Sequence, residues 1–189
     1  KLLADDDNSL RVDDAAKIVG CWRALSKMDS QDDLEFDPEP MRRAVAFAQV
    51  IQLNQGAKTH KVSSKHIADM FQRVVEAYRQ ELLNENPESP EEISQLVCEA
   101  RHVDGGMGAS EKNYRIDWLK EETPPDTCRI LSNVRCLSEG VDVPALDAVL
   151  FLTPRNSQVD VVQSVGRVMR KNPAGNKKLG YVILPVVIP

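Results

Sequence analysis

The sequence predicts an α/β fold in which helices cover both faces of a mainly parallel sheet. Short runs rich in Val, Ile and Leu, with little polar alternation, suit strands buried on both sides. Longer stretches with apolar residues at helical spacing lie between them. The two kinds alternate, punctuated by Pro and Gly, which is the order of βαβ units. The 189 residues are 42% apolar, 28% charged and 5% aromatic, enough for one buried core.

Val12, Ala15, Ala16, Val19, Trp22 and Leu25 mark a helix over Val12–Met28. Asp29 to Pro40 is acidic, holds two prolines and reads as an exposed linker. Ala44–Val50 is a first strand. Ser63 or Ser64 caps a helix over Lys65–Leu83, whose face carries Ile67, Met70, Phe71, Val74, Val75 and Tyr78. A shorter helix is expected over Glu91–Val97 and a second strand over Glu99–Val103, closed by Asp104-Gly105-Gly106. Ser110 opens a helix to Glu121, and Pro124-Pro125 breaks it. Strands follow at Cys128–Ser132 and Ala148–Leu152, then a helix over Ser157–Met169 and a last strand over Leu179–Pro185.

Charge is unevenly distributed. Residues 1–40 hold eleven acids against five bases, whereas the rest of the chain is nearly balanced, so the overall charge of −5 belongs to the amino-terminal segment. From Thr153 to Lys178 there are six basic residues against Asp160 alone, a surface suited to phosphate groups. No apolar run reaches the roughly 20 residues needed to span a bilayer. Four cysteines without a CxxC pair, and three dispersed histidines, point away from a zinc site and towards reduced thiols in the cytoplasm. Lys1 in place of Met reads as the start of a fragment.

The chemistry concentrates between Ile130 and Lys171. Gln163, Arg167 and Arg170 recur at i, i+4 and i+7, on one face of a helix, with Gly166 removing a side chain beside them. Two guanidinium groups on one face repel unless an anion lies between them, and a polyphosphate meets that need. One strand earlier, Gly140 and Pro144 permit a tight loop that offers the carboxylate of Asp142.

The stretches LSEGVDVPALDAVLF and QSVGRVMR resemble motifs V and VI of superfamily 2 helicases and DNA translocases. AVAFAQVI resembles their motif IV strand, and HVDGGMGASEKNYRIDWLKE the strand, loop and helix that follow. The wording is similar to that of helicases in bacterial restriction-modification and phage-defence proteins. The resemblance covers residues 41–189 and implies the second RecA-like domain, a three-layer sandwich of the P-loop NTPase type. Residues 54–98 form a helical insert. Residues 1–40 become an extension leading from a preceding RecA-like domain, on which the helix around Trp22 would dock.

Carried over residue by residue, the resemblance makes Arg167 and Arg170 arginine fingers and has Gln163 position the γ-phosphate or the attacking water. Gly166 and the loop residues Gly140 and Asp142 would lie near the nucleotide. Asn133, standing where the family often has Thr, would face the nucleic-acid backbone with Arg135, Asp104, Gly105 and Arg155. ATP and Mg2+ would be held mainly by the preceding domain. The partner would be DNA rather than RNA, with nuclease or methyltransferase domains fused in the same protein and no membrane.

No G-x-x-x-x-G-K-[ST] occurs in the sequence, nor a DEAD-type carboxylate pair after a strand. Hydrolysis needs both a phosphate-cradling lysine loop and a magnesium carboxylate, so this chain alone is expected not to hydrolyse ATP. Two other readings are a non-catalytic phosphate- or nucleic-acid-binding module with a degenerate helicase fold, and a nucleotide-dependent dehydrogenase. The dehydrogenase lacks its G-x-G-x-x-G after the first strand.

Overall fold

The computed structural model describes residues 11–29, 36–53, 61–137, 146–154, 158–168 and 179–186. Five strands form one sheet: β1 (Arg43–Phe47), β2 (Val97–His102), β3 (Thr127–Asn133), β4 (Ala148–Phe151) and β5 (Tyr181–Ile183). Their order is β2-β3-β1-β4-β5 and every pairing is parallel. The α/β expectation holds. Four helices complete the described fold: α1 (Val12–Ser26), α2 (Ser64–Glu85), α3 (Ala109–Lys120) and α4 (Gln158–Val168).

The pleat of β1 sorts the core into two layers. Ala44 and Ala46 face α1 and α2, where Ile18, Trp22, Leu25, Ile67, Phe71 and Val75 are buried. The small alanines leave room for the large rings of Trp22 and Phe71. Val45 and Phe47 face the other way, towards Ile116 and Leu119 of α3 and the half-buried Val161 and Val165 of α4. Phe47 stacks on Phe151 across the β1–β4 pair, with ring centroids 5.6 Å apart.

Polar groups pin these layers together. The Asp147 carboxylate accepts the backbone N–H groups of Arg42 at 2.8 Å and Arg43 at 3.0 Å, fastening the start of β1 to the start of β4. The Arg43 guanidinium donates to the carbonyls of Leu119 and Lys120, each at 3.0 Å, and so caps the carboxyl end of α3. The Trp22 indole donates to the Leu96 carbonyl at 3.0 Å and meets Tyr78 edge to face.

Several sequence-based boundaries shift for physical reasons. β1 stops at Phe47, because Gln49 and Val50 turn to donate to the Val62 carbonyl and Val50 only bridges Ser63. The helix expected over Glu91–Val97 is a single 3-10 turn, Pro90–Glu92. The Ser94 hydroxyl takes the backbone N–H of Leu96, and Val97 already belongs to β2. α2, within the stretch expected as a helical insert over residues 54–98, is the crossover from β1 to β2, its amino end capped by the Ser63 hydroxyl.

Nor is α1 an external extension that docks elsewhere through Trp22, since that ring is fully buried within this core. Lys27 ends α1 in a left-handed conformation with φ of 57°. Its buried ammonium donates to the Asp37 carbonyl, pairs with the Asp37 carboxylate at 3.1 Å and lies over the Tyr181 ring. The Tyr181 hydroxyl donates to the same carboxylate at 2.7 Å, and burial with this bond pushes its pKa up. The stretch around Asp37, expected as an exposed linker, therefore ties α1 to β5. No described helix is long and apolar enough to cross a membrane.

Trp22→Ala removes a fully buried ring and orphans the Leu96 carbonyl, so it should cost about 3–5 kcal/mol in urea unfolding. Val12→Ala, on the exposed start of the same helix, should stay within about 0.5 kcal/mol. A small loss at Trp22 would place α1 outside the cooperative core.

Candidate functional site

Because all strands run the same way, the carboxyl ends of β1–β4 and the amino ends of α2, α3 and α4 meet at one end of the sheet. Helix amino ends present unsatisfied N–H groups and partial positive charge, so this mouth favours anions.

α4 follows β4 with its amino end at the mouth; Gln163 lies halfway along the helix and Gly166 in its last turn, both exposed. Val161 and Val165 turn into the core and Ser164 is buried, so the opposite side of the helix is the one left open. Val162 on that open side is 69% exposed. Among the described residues, a Cβ built on Gly166 would meet no atom within 4 Å. Arg167 follows Gln163 by one turn along the helix backbone. Arg170, Gly140, Asp142 and Arg155 lie outside the described residues.

The loops after β2 and β3 hold the nucleic-acid candidates. Arg135 is exposed in the turn that follows β3. Asn133 is not: its side chain is completely buried at the end of β3. Its amide donates to the Ala46 carbonyl at 3.1 Å, and its amide oxygen accepts the Leu137 backbone N–H at 3.3 Å. The expectation that Asn133 faces a phosphate or sugar is corrected, because both ends of its amide are used to hold the loop after β3 against β1.

The Asp104 carboxylate is likewise turned inward. One oxygen meets His102 Nε2 at 2.8 Å and the other accepts the Gly106 backbone N–H at 2.8 Å. These two bonds, the His102 one foremost, hold the Asp104 carboxyl below the usual carboxylate range. What the loop presents outward is the exposed backbone of Gly105 and Gly106, with the Lys112 ammonium donating to the Gly105 carbonyl at 3.1 Å.

Behind Asp104 lies a cluster that the sequence reading missed. His102 Nδ1 is 2.7 Å from the Ser64 hydroxyl, which is 2.8 Å from the Ser132 hydroxyl. Both serines are fully buried, Ser64 opening α2 and Ser132 standing one residue before Asn133. Burial lowers the His102 pKa, and the bond to Asp104 only partly opposes it. The available signal was polarity out of place: a Ser within the apolar strand Cys128–Asn133, and a His closing another strand. Among the described residues no group of three or more His, Cys, Asp or Glu could hold a metal.

Comparisons with known proteins agree with one another. The family model described as helicase conserved C-terminal domain matches residues 68–172. The solved structure of the ATP-dependent Type ISP restriction-modification enzyme LlaBIII bound to DNA superposes with a TM-score of 0.75. It is 40% identical and covers 98% of this chain and 11% of that one. Protein 22 of a Sulfolobus islandicus filamentous virus, named as a helicase, is 34% identical over 73 residues, 39% of this chain and 12% of its own. The Y' element ATP-dependent helicase YML133C of Saccharomyces cerevisiae is 30% identical over 82 residues, 40% of this chain and 6% of its own. The chain thus spans about a tenth or less of the length of such relatives.

The buried His102 makes stability fall with acid. Its folded pKa lies below the ordinary 6.5, so between the two values the unfolded chain binds a proton that the folded chain does not. The stability it contributes is complete above 6.5 and declines as the pH drops towards the folded value. Asp104 adds a loss only lower, below its ordinary 3.8. The urea midpoint should therefore fall between pH 7 and pH 5, and His102→Gln should flatten that fall. An equal slope in wild type and variant would refute the assignment.

Proposed function

Since this chain belongs to the helicase conserved C-terminal domain family and has its RecA-like fold, we propose that it is the second half of an ATP-driven DNA motor. The observation that carries the reading is the open side of α4, the helix that begins at the mouth of the sheet: Gln163 and Val162 are exposed, and among the described residues no atom lies within 4 Å of a Cβ built on Gly166. A bare helix face whose sequence carries Gln163 and Arg167 suits a phosphate-bearing ligand held by a neighbour.

In this reading ATP and Mg2+ sit on a preceding RecA-like domain. Arg167 and Arg170 reach the γ-phosphate from the side of this chain, and Gln163 orients that phosphate or the attacking water. Phosphoryl transfer spreads negative charge over the γ-oxygens, and guanidinium groups supplied across an interface are worth roughly a thousandfold or more in rate. Gly140 and Asp142 lie towards the ribose. DNA meets Arg135, Arg155 and the backbone of the Asp104–Gly105 turn. Asn133 serves that surface indirectly, by holding the loop that carries Arg135.

Hydrolysis needs the lysine loop and the magnesium carboxylate that this sequence lacks, so the 189-residue chain should turn over ATP no faster than buffer. Measurable turnover would refute the half-site reading. In a protein that includes the preceding domain, Arg170→Ala should lower DNA-stimulated hydrolysis by about a thousandfold while leaving the unfolding midpoint unchanged. Wild-type rates in that variant would favour the non-catalytic module instead. Binding of the isolated chain to a DNA duplex should weaken steeply with salt. A flat salt response would remove the phosphate contacts from the account.

A further inference from the structure

The bonded series Ser132, Ser64, His102, Asp104 and Gly106 joins three chain segments that converge on the mouth: the end of β3, the start of α2, and the turn after β2. Ser, His and Asp in hydrogen-bonded sequence suggest a nucleophile, yet the Ser64 side chain is wholly enclosed, bonded on one side to Ser132 and on the other to His102. No substrate reaches it. The series holds position instead.

Its direction is set by the imidazole. A neutral His102 has one bare nitrogen and one N–H. With the proton on Nε2, the ring donates to Asp104 while Nδ1 accepts the Ser64 hydroxyl. The Ser64 oxygen then accepts the Ser132 hydroxyl. Every member is satisfied and all the bonds run one way. A second proton on Nδ1 forces the reverse: Nδ1–H donates to Ser64, the Ser64 hydroxyl turns to Ser132, and the Ser132 hydroxyl loses its acceptor in a fully buried place. A buried hydroxyl without a partner is costly.

We propose that His102 is a positioning residue for nucleic-acid engagement. Its neutral ring holds the Asp104–Gly106 turn and the end of β3 in the geometry that meets a phosphate backbone, and its protonation releases them. The inference rests on the DNA-motor reading above. The charged groups around the ring are Asp104 from its own loop, Lys65 from α2 and Arg115 from α3, and both cations disfavour the second proton. From β3 comes only the neutral Ser132. Arg115 also donates to the His102 carbonyl at 2.6 Å, so the backbone of this residue is held from α3 while its ring is held from α2 and β3.

The test has two arms. In the first, 15N spectra of the imidazoles of the 189-residue chain, assigned against His102→Gln, should show His102 at pH 7 with the proton on Nε2 and Nδ1 bare. A proton on Nδ1 would overturn the relay. In the second, binding of a fluorescein-labelled 20-base-pair duplex is followed from pH 7.5 to pH 5.5. Acid adds positive charge to a protein and by itself strengthens DNA binding. The relay predicts the opposite sign, a weakening of about tenfold.

Ser64→Ala severs the ring from Ser132 and should restore strengthening in acid, and Ser132→Ala provides the same severance should the helix start not tolerate the first change. Strengthening in the wild type would overturn the proposal. Absence of duplex binding at every pH would overturn the DNA reading and the role built on it, while the tautomer still decides the relay itself.

Discussion

A buried polar atom has no water to turn to, and this domain places four such side chains at the mouth, three where strands finish and one where α2 begins. Ser64, His102, Ser132 and Asn133 are all enclosed, and each finds its partner on a different segment of chain. Unmade, any of these bonds costs more than it contributes when made. The result is that loops which would otherwise move independently share one set of constraints. Asn133 binds β3 to β1 and to the turn at Leu137, while Ser64 binds α2 to both β2 and β3. The described bonds that tie these segments together at the mouth are thus polar, whereas the apolar packing lies deeper in the sandwich.

The same arrangement decides what the mouth offers outward. Asp104 and Asn133, which a motif comparison assigns to the nucleic acid, spend their side chains inward. Of the loops after β2 and β3, the described residues exposed in their place include Gly105 and Gly106, with their backbone, and Arg135. In the proposed motor such groups meet a phosphate backbone by shape and charge. At the far end of the domain, Gln80 to Ala100 carries six glutamates and no lysine or arginine, while Arg43 and Arg129 stand near the starts of β1 and β3. Much of that stretch surrounds a cavity of about 530 Å³ lined by Met28, Leu82, Asn86 and Ile93.

The parallel sandwich was legible in the sequence because buried parallel strands have a signature of their own: AVAF, CRIL and AVLF lack the alternation of a half-exposed sheet. α2 was equally legible, from Ile67, Phe71 and Val75 at helical spacing. The errors share a cause. Glu91–Val97 has helical residues, but Ser94 diverts a backbone N–H and the demands of β2 end the turn early. The acidic stretch before Pro40 looks like solvent-exposed linker until Asp37 meets Lys27 and Tyr181, residues ten and 144 positions away. The His102 cluster is built from three segments, so no local pattern announces it. Long-range polar partners are what composition and periodicity do not carry.

Gly166 shows how a cost inside the domain points outside it. A glycine within a helix is less favourable than alanine by about 1 kcal/mol. Interior glycines are usually explained by a close neighbour that a Cβ would strike, yet among the described residues no atom lies within 4 Å of a Cβ built on Gly166. The described packing therefore gives no reason for the missing side chain. Val162, on the same open side, is 69% exposed. In the proposed motor a second surface closes on that side, and its backbone or a phosphate passes beside the glycine. Gln163 and Arg167, one turn apart along the same helix, then belong to one half of an interface whose other half is the preceding domain.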